Sequence, residues 1–181
     1  MISILVLLVL IAAAAVAIGK LLRGSIQQLS NLPELLDKLE PFNLACFRHI
    51  ASEVDDQYLK KKLPGREYRR LRLIRLRAIH AYYKSALYNS SLLLAYGQAL
   101  LNASDPELSS FGQQLSTAAI QLRLALIQGF VGVFFCYFMP LHIPYWRQIT
   151  DRYDQVGAHL KALCEMHAPD LGMAVSDHFP S

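Results

Sequence analysis

REYRRLRLIRLRAIHAYYK, residues 66–84, is the stretch on which the fold turns. Six arginines fall in its first twelve positions, and leucine and isoleucine fill most of the gaps. LRLIRLR nearly alternates, as a half-buried strand would, but continued through AIHAYYK it opens a long helix. The alternation loses phase across Leu73-Ile74 and has no turn residues around it, so the strand is rejected. At 100° per residue, Leu71, Ile74, Ala78, Ala81, Ser85, Tyr88, Leu92, Ala95 and Ala99 share one face, stepping by three and four. Every arginine from Arg66 to Arg77 lies off that stripe, leaving an arginine-free arc of about 120° to pack on a core. The spacing predicts a helix from about Gly65 to Leu101, with Leu71 and Ile74 buried and the arginines in water.

Downstream, Asn102-Ala103-Ser104-Asp105-Pro106-Glu107 ends one helix and starts another. Ser104 or Asp105 can cap, Pro106 suits a first turn, and Glu107 favours the positive helix terminus. Leu108, Phe111, Leu115, Ala118, Leu122 and Ala125 then repeat at helical spacing. Two long helices joined by so short a turn are expected to lie antiparallel. Pro140 and Pro144 interrupt the chain. Beyond them Trp146, Ile149, Tyr153, Val156, Leu160 and Leu163 form the cleanest amphipathic pattern, before an irregular tail from Pro169. Upstream, Leu32, Leu35, Leu36 and Leu39 make a short apolar stripe. Leu44, Phe47, Ala51, Val54 and Tyr58 read as one face of a helix ending near Lys61, before Pro64-Gly65.

The composition calls for membrane-directed material besides one domain. Of 181 residues, 54% are hydrophobic and 18% charged, and the mean hydropathy is +0.26. Residues 2–19 carry no charge, and eleven are Ile, Leu or Val, each favouring insertion by a few tenths of a kcal/mol. A cleaved signal peptide would bring a basic n-region and a shorter apolar run, so residues 1–23 are expected to be a signal-anchor. Lys20 and Arg23 follow the span, which puts the N-terminus outside and the rest in the cytoplasm. Three widely spaced cysteines, Cys46, Cys136 and Cys164, suit a reducing compartment. A second uncharged run, Leu124 to Trp146, is long enough to span. It also continues the stripe that begins at Leu108, which favours a buried or membrane-grazing helix; a two-pass protein with Leu124–Leu141 as second span is the alternative.

The fold expected is therefore all-α: an N-terminal transmembrane helix (1–23), short connecting helices (24–64), a cytoplasmic helical bundle built on a long antiparallel hairpin (65–168) and an irregular tail (169–181).

Chemistry is sparse. GxGxxG, phosphate-loop, HExxH and GxSxG patterns are absent. Two C-x-x-H pairs, Cys46-His49 and Cys164-His167, would together make a Cys₂His₂ set, but His49 points away from its helix's apolar face, and chance spacing explains the pairs better. His80 beside Tyr82-Tyr83 reads as a surface histidine. No catalytic residue, metal set or cofactor is expected. The basic surplus is regional: residues 1–123 hold 15 Lys and Arg against 9 Asp and Glu, the remainder 3 against 5. Its densest part comprises Lys60, Lys61, Lys62, Arg66, Arg69, Arg70, Arg72, Arg75 and Arg77. Besides a solvated face, anionic lipid head groups or an acidic protein are the partners this charge fits; nucleic acid would bring stacking residues or a reading motif with it. The function expected is that of a membrane-anchored interaction or scaffold protein without catalysis, an enzyme with a site of scattered polar residues being the rival.

Overall fold

Capping side chains set three of the helix starts. In the computed structural model, which describes residues 31–138 and 146–167 together with Val175 and Phe179, six helices follow one another: α1 (Leu32–Lys38), α2 (Leu44–Ala51), α3 (Glu53–Lys62), α4 (Gly65–Leu101), α5 (Pro106–Phe138) and α6 (Trp146–His167). All regular structure among the described residues is helical, with no strand. The expected membrane anchor, residues 1–23, lies outside the described residues, as do Pro140, Pro144 and most of the tail.

Asn43 Oδ1 accepts the Cys46 N–H at 2.8 Å and starts α2. Asp105 Oδ1 accepts the Glu107 N–H at 2.9 Å and starts α5, with Pro106 in the first turn as its missing donor allows. Ser52 corrects the expectation of one helix from Asn43 to near Lys61. It ends α2, and its hydroxyl accepts the Asp55 N–H at 3.3 Å to begin α3, whose first turn holds Glu53, Asp55 and Asp56. The two helices diverge there, so Val54 and Tyr58 are exposed rather than packed. A capping serine followed by three acids was a start signal inside an otherwise continuous apolar spacing.

The long helices α4 and α5 run in opposite directions. Gly97 lies against Gly112 and Ser116, Tyr83 against Gly129, and Arg72 against Cys136. At the closest point backbone meets backbone: a Cβ on Gly112 would fall 2.7 Å from both Gly97 O and Leu101 N. α6 packs on α5 and completes the core. Its Ile149, Tyr153, Val156, Leu160 and Leu163 are all buried, as its amphipathic spacing predicts.

Which face of α4 turns inward differs from the expectation. The buried row is Leu76, Ile79, Tyr83, Ala86, Ser90, Leu93 and Gly97, again stepping by three and four. At 100° per residue this row lies nearly opposite the expected stripe. Ile74 and Tyr88 are exposed and Leu71 is only half-buried. The expected stripe becomes buried only toward the C-terminal end, at Leu92 and Ala95. Both rows satisfy helical periodicity because the second half of α4 is apolar nearly all round. Gly97 belongs to the inward row alone, and there α5 comes close enough to meet its backbone through Gly112 and Ser116.

The segment between α1 and α2 is pinned by a buried amide. Asn89 Oδ1 accepts the Glu40 N–H at 2.9 Å, and Asn89 Nδ2 donates to the Glu40 carbonyl at 2.8 Å and to Tyr153 Oη at 3.3 Å. Ser85 Oγ donates to the Glu40 carboxylate. Beside this network Phe42 stacks on Tyr153 with centroids 4.3 Å apart, and Phe179 stacks on the same Tyr153 at 5.0 Å. Burial lifts the Tyr153 phenol above its ordinary range; the Asn89 hydrogen bond opposes that shift.

Two substitutions separate the faces of α4. Leu76→Ala is expected to cost about 2–5 kcal/mol of stability and Ile74→Ala about 0.5 kcal/mol or less. Denaturant titration checks the ranking, and the reverse order would put the wrong face inward. Gly112→Ala forces backbone apart and is expected to cost about 1–3 kcal/mol, read as a fall in melting temperature.

Candidate functional site

The nine basic residues singled out in the sequence fall into three groups. Lys60, Lys61 and Lys62 form the exposed last turn of α3, where cations suit the negative helix end. Arg66, Arg69, Arg70 and Arg77 are exposed on α4. Arg72 and Arg75 are turned inward, toward backbone carbonyls at helix ends.

Arg75 is a clamp. Its guanidinium donates to the Ile50 carbonyl from Nη2 at 2.8 Å and Nε at 3.1 Å, and to the Ser52 carbonyl at 3.0 Å. Nη1 meets Asp56 Oδ1 at 3.3 Å, and the side chain is only 11% exposed. One cation thus closes the C-terminus of α2 and holds α3 beside α4, where Tyr68 Oη also donates to Asp56 at 3.0 Å. Burial first, then the Asp56 bond, raises the Tyr68 phenol. Arg72 reaches the Cys136 carbonyl near the end of α5 at 3.4 Å.

All the exposed cations of α4 but Arg69 fall on one line. Arg66, Arg70, Leu73, Arg77, His80 and Lys84 step by four and three and are all exposed, so they share one outer face over about 27 Å. Glu67 is the single acid of α4, and Glu107 that of α5.

Beside the end of this row that includes Arg77 and His80 lies the outer face of α5. Ile120, Leu124, Ile127, Val131, Phe134 and Phe135 recur at helical spacing along it. Ile120 is 54%, Leu124 57%, Phe134 45% and Phe135 50% exposed, while Ile127 and Val131 are half-buried. The opposite face of the helix carries the core residues Leu115, Ala119, Leu122, Leu126 and Val133. α5 is therefore apolar on two faces for two separate reasons, with Gln113, Gln114, Thr117, Gln121 and Gln128 exposed besides, and it is not buried on every side. Pro106–Tyr137 is long and apolar enough to cross a membrane by length and composition, with 44% of its most apolar window buried.

Row and stripe meet in an open groove of about 440 Å³ lined by Arg77, His80, Phe130, Phe134 and Tyr137. The His80 ring rests against Phe130 at 4.6 Å. Arg77 makes no hydrogen bond or ion pair among the described residues.

Elsewhere, potential chemistry is dispersed. Cys46 is exposed on α2 and Cys164 is buried in α6, and no group of three or more His, Cys, Asp or Glu able to hold a metal gathers among the described residues. His49 faces solvent, 4.0 Å from Asp55. The Tyr82 phenol is pushed up to about 12, first by its hydrogen bond with the Cys46 thiol and then by burial. No family model, curated protein or solved structure matches the chain.

Sequence reasoning missed the outer stripe of α5 and the inward turn of Arg72 and Arg75. The signal for the first was a helix too apolar for one buried face. For the second the sequence held no local signal, since Arg75 meets Ile50 across 25 residues and Arg72 meets Cys136 across 64. Arg75→Gln is expected to destabilise the fold by about 1–3 kcal/mol by leaving carbonyls and Asp56 underserved, and Arg69→Gln by about 0.5 kcal/mol or less. Chemical denaturation of both variants measures the difference; equal effects would deny the clamp.

Proposed function

We propose that the chain is a membrane-anchored, non-catalytic helical protein whose α5 lies along an anionic bilayer surface, presenting its outer apolar stripe to lipid and the α4 cations to head groups. The observation that carries this reading is an exposed uncharged stripe, Ile120 to Phe135, whose Phe134 end meets the α4 cations at Arg77. That is the pattern of a helix lying in an interface: apolar on one side, basic on its border. Each cation close to an anionic surface contributes about 1 kcal/mol.

Packing argues against a second span. α4 lies along α5 from Gly97 at Gly112 to Arg72 at Cys136. A crossing α5 would therefore drag Arg77 and Lys84, which lie level with the part of α5 between Gly129 and Cys136, into the hydrocarbon, at about 2.5–3.5 kcal/mol for each such charge at mid-bilayer. Lying in the plane leaves those charges among phosphates. Residues 2–19 serve as the tether, with the N-terminus outside and the helical domain on the cytoplasmic leaflet, where anionic lipid is concentrated. Only residues 24–31 separate the anchor from α1, a reach of at most about 28 Å, which keeps the domain at the surface. Two signals together give firmer attachment than either alone. The domain then works as a scaffold held flat on the membrane, its α3 lysines and α6 free for partners.

The test uses the full chain with Cys46→Ser, reconstituted in vesicles containing a third phosphatidylglycerol. A polarity-sensitive probe is attached at Leu124→Cys, with Glu165→Cys on α6 as the comparison. The expected result is a blue-shifted emission at position 124, quenched by lipids spin-labelled near the glycerol depth, and an aqueous emission at 165. Aqueous emission at both positions would overturn the reading. Quenching at 124 strongest at mid-bilayer depth would restore the second span instead.

A further inference from the structure

We infer that the groove between α4 and α5 is a site for one anionic phospholipid, its phosphate on Arg77 and its acyl chain laid over Phe130 and Phe134. The inference rests on the surface orientation of α5 proposed above and gives that surface a single specific ligand.

The groove holds about 440 Å³, within the roughly 300–1,000 Å³ of small-molecule sites. Its walls divide by chemistry: Arg77 and His80 come from α4, and Phe130, Phe134 and Tyr137 from α5. A ligand that fills both walls needs an anionic end and an apolar body. Arg77, permanently charged and able to grip two phosphate oxygens at once, has no partner among the described residues. No acid lines the groove. Arg70 and Lys84, each about two turns away on the same outer face, add to its positive field.

Continuity with the stripe names the source of the anion. Phe134 belongs both to the groove and to the outer face of α5. A chain leaving the groove over Phe134 runs directly onto the surface assigned to lipid, so no apolar carbon has to cross water. A free phosphate would satisfy Arg77 and leave the aromatic wall wet. A zwitterionic lipid would bring an ammonium group toward a wall that already carries cations. His80, held against Phe130 at 4.6 Å, joins the two walls of the groove.

Native mass spectrometry of the full chain in detergent, offered equal phosphatidylglycerol and phosphatidylcholine, reads the site. The wild-type chain is expected to retain one phosphatidylglycerol in preference. Arg77→Gln, an exposed change, is expected to lower that preference about tenfold, the loss of one charge-assisted pair; Lys62→Gln, an exposed change on α3 away from the groove, should change it less than about twofold. Excess inorganic phosphate should not displace the lipid. Equal retention of the two lipids by the wild type, an unchanged preference in Arg77→Gln, or displacement by phosphate would each overturn the assignment, as would a second copy of the chain in place of lipid. The Leu124 probe, more than one helical turn from the groove, separates this outcome from the broader reading. Bilayer contact at Leu124 with unchanged preference in Arg77→Gln sinks the lipid site alone; aqueous emission at Leu124 in the wild type sinks the surface orientation beneath it.

Discussion

Where α4 and α5 come closest, no side chain separates them. A Cβ on Gly112 would stand 2.7 Å from Gly97 O and Leu101 N, and one on Gly97 would stand 2.5 Å from Ser116 Oγ. Further along the pair, Gly129 leaves room for the Tyr83 ring and the tip of Ile149. These contacts fix the register of two helices of 37 and 33 residues, and a register fixed at one end is carried along the whole pair by the rigidity of helices. Arg72 reaches Cys136, and Arg77 and His80 share a groove with Phe134, in the alignment that the glycines allow. The candidate site is a by-product of how closely two backbones can lie.

Much of the architecture was legible because punctuation was strong. Pro64-Gly65 and Asp105-Pro106 bracket α4 and α5, and the spacing of Ile149, Tyr153, Val156, Leu160 and Leu163 finds its core face in the structure. The inward face of α4 was not legible. From Ala86 onward, through Leu87, Leu92, Leu93 and Ala95, apolar residues surround the helix, and periodicity alone cannot choose among them. The assumption that arginine must avoid a packing face also failed, for a definite reason. A guanidinium is excluded from hydrocarbon but welcome at the end of a helix, where carbonyls converge without donors. Arg75 packs its stem inward and directs its charge to Ile50, Ser52 and Asp56.

The basic stretch thus has two occupations interleaved in one short segment. Arg72 and Arg75 hold the fold; Arg66, Arg70 and Arg77 face outward. Their spacing separates the roles, since residues three and four apart share a face while those two and five apart do not. Composition counted them together and could not tell them apart. The stripe on α5 was hidden similarly: an average over a helix apolar on two sides looks the same as one buried all round.

Asn89 has a consequence of a different kind. Its side-chain amide meets the Glu40 peptide as another peptide would, giving a hydrogen to the carbonyl and taking one from the N–H. The linker between α1 and α2 is thereby bonded to α4 much as one strand is bonded to the next, without any strand being present. That bond depends on a group that is donor and acceptor at once. Replacing a single nitrogen by oxygen, the change that slow hydrolysis makes in an asparagine, would turn a mutual grip into two oxygens facing each other, with a new charge beside the Glu40 carboxylate. The durability of this junction is set by the chemical lifetime of one amide as well as by the free energy of folding.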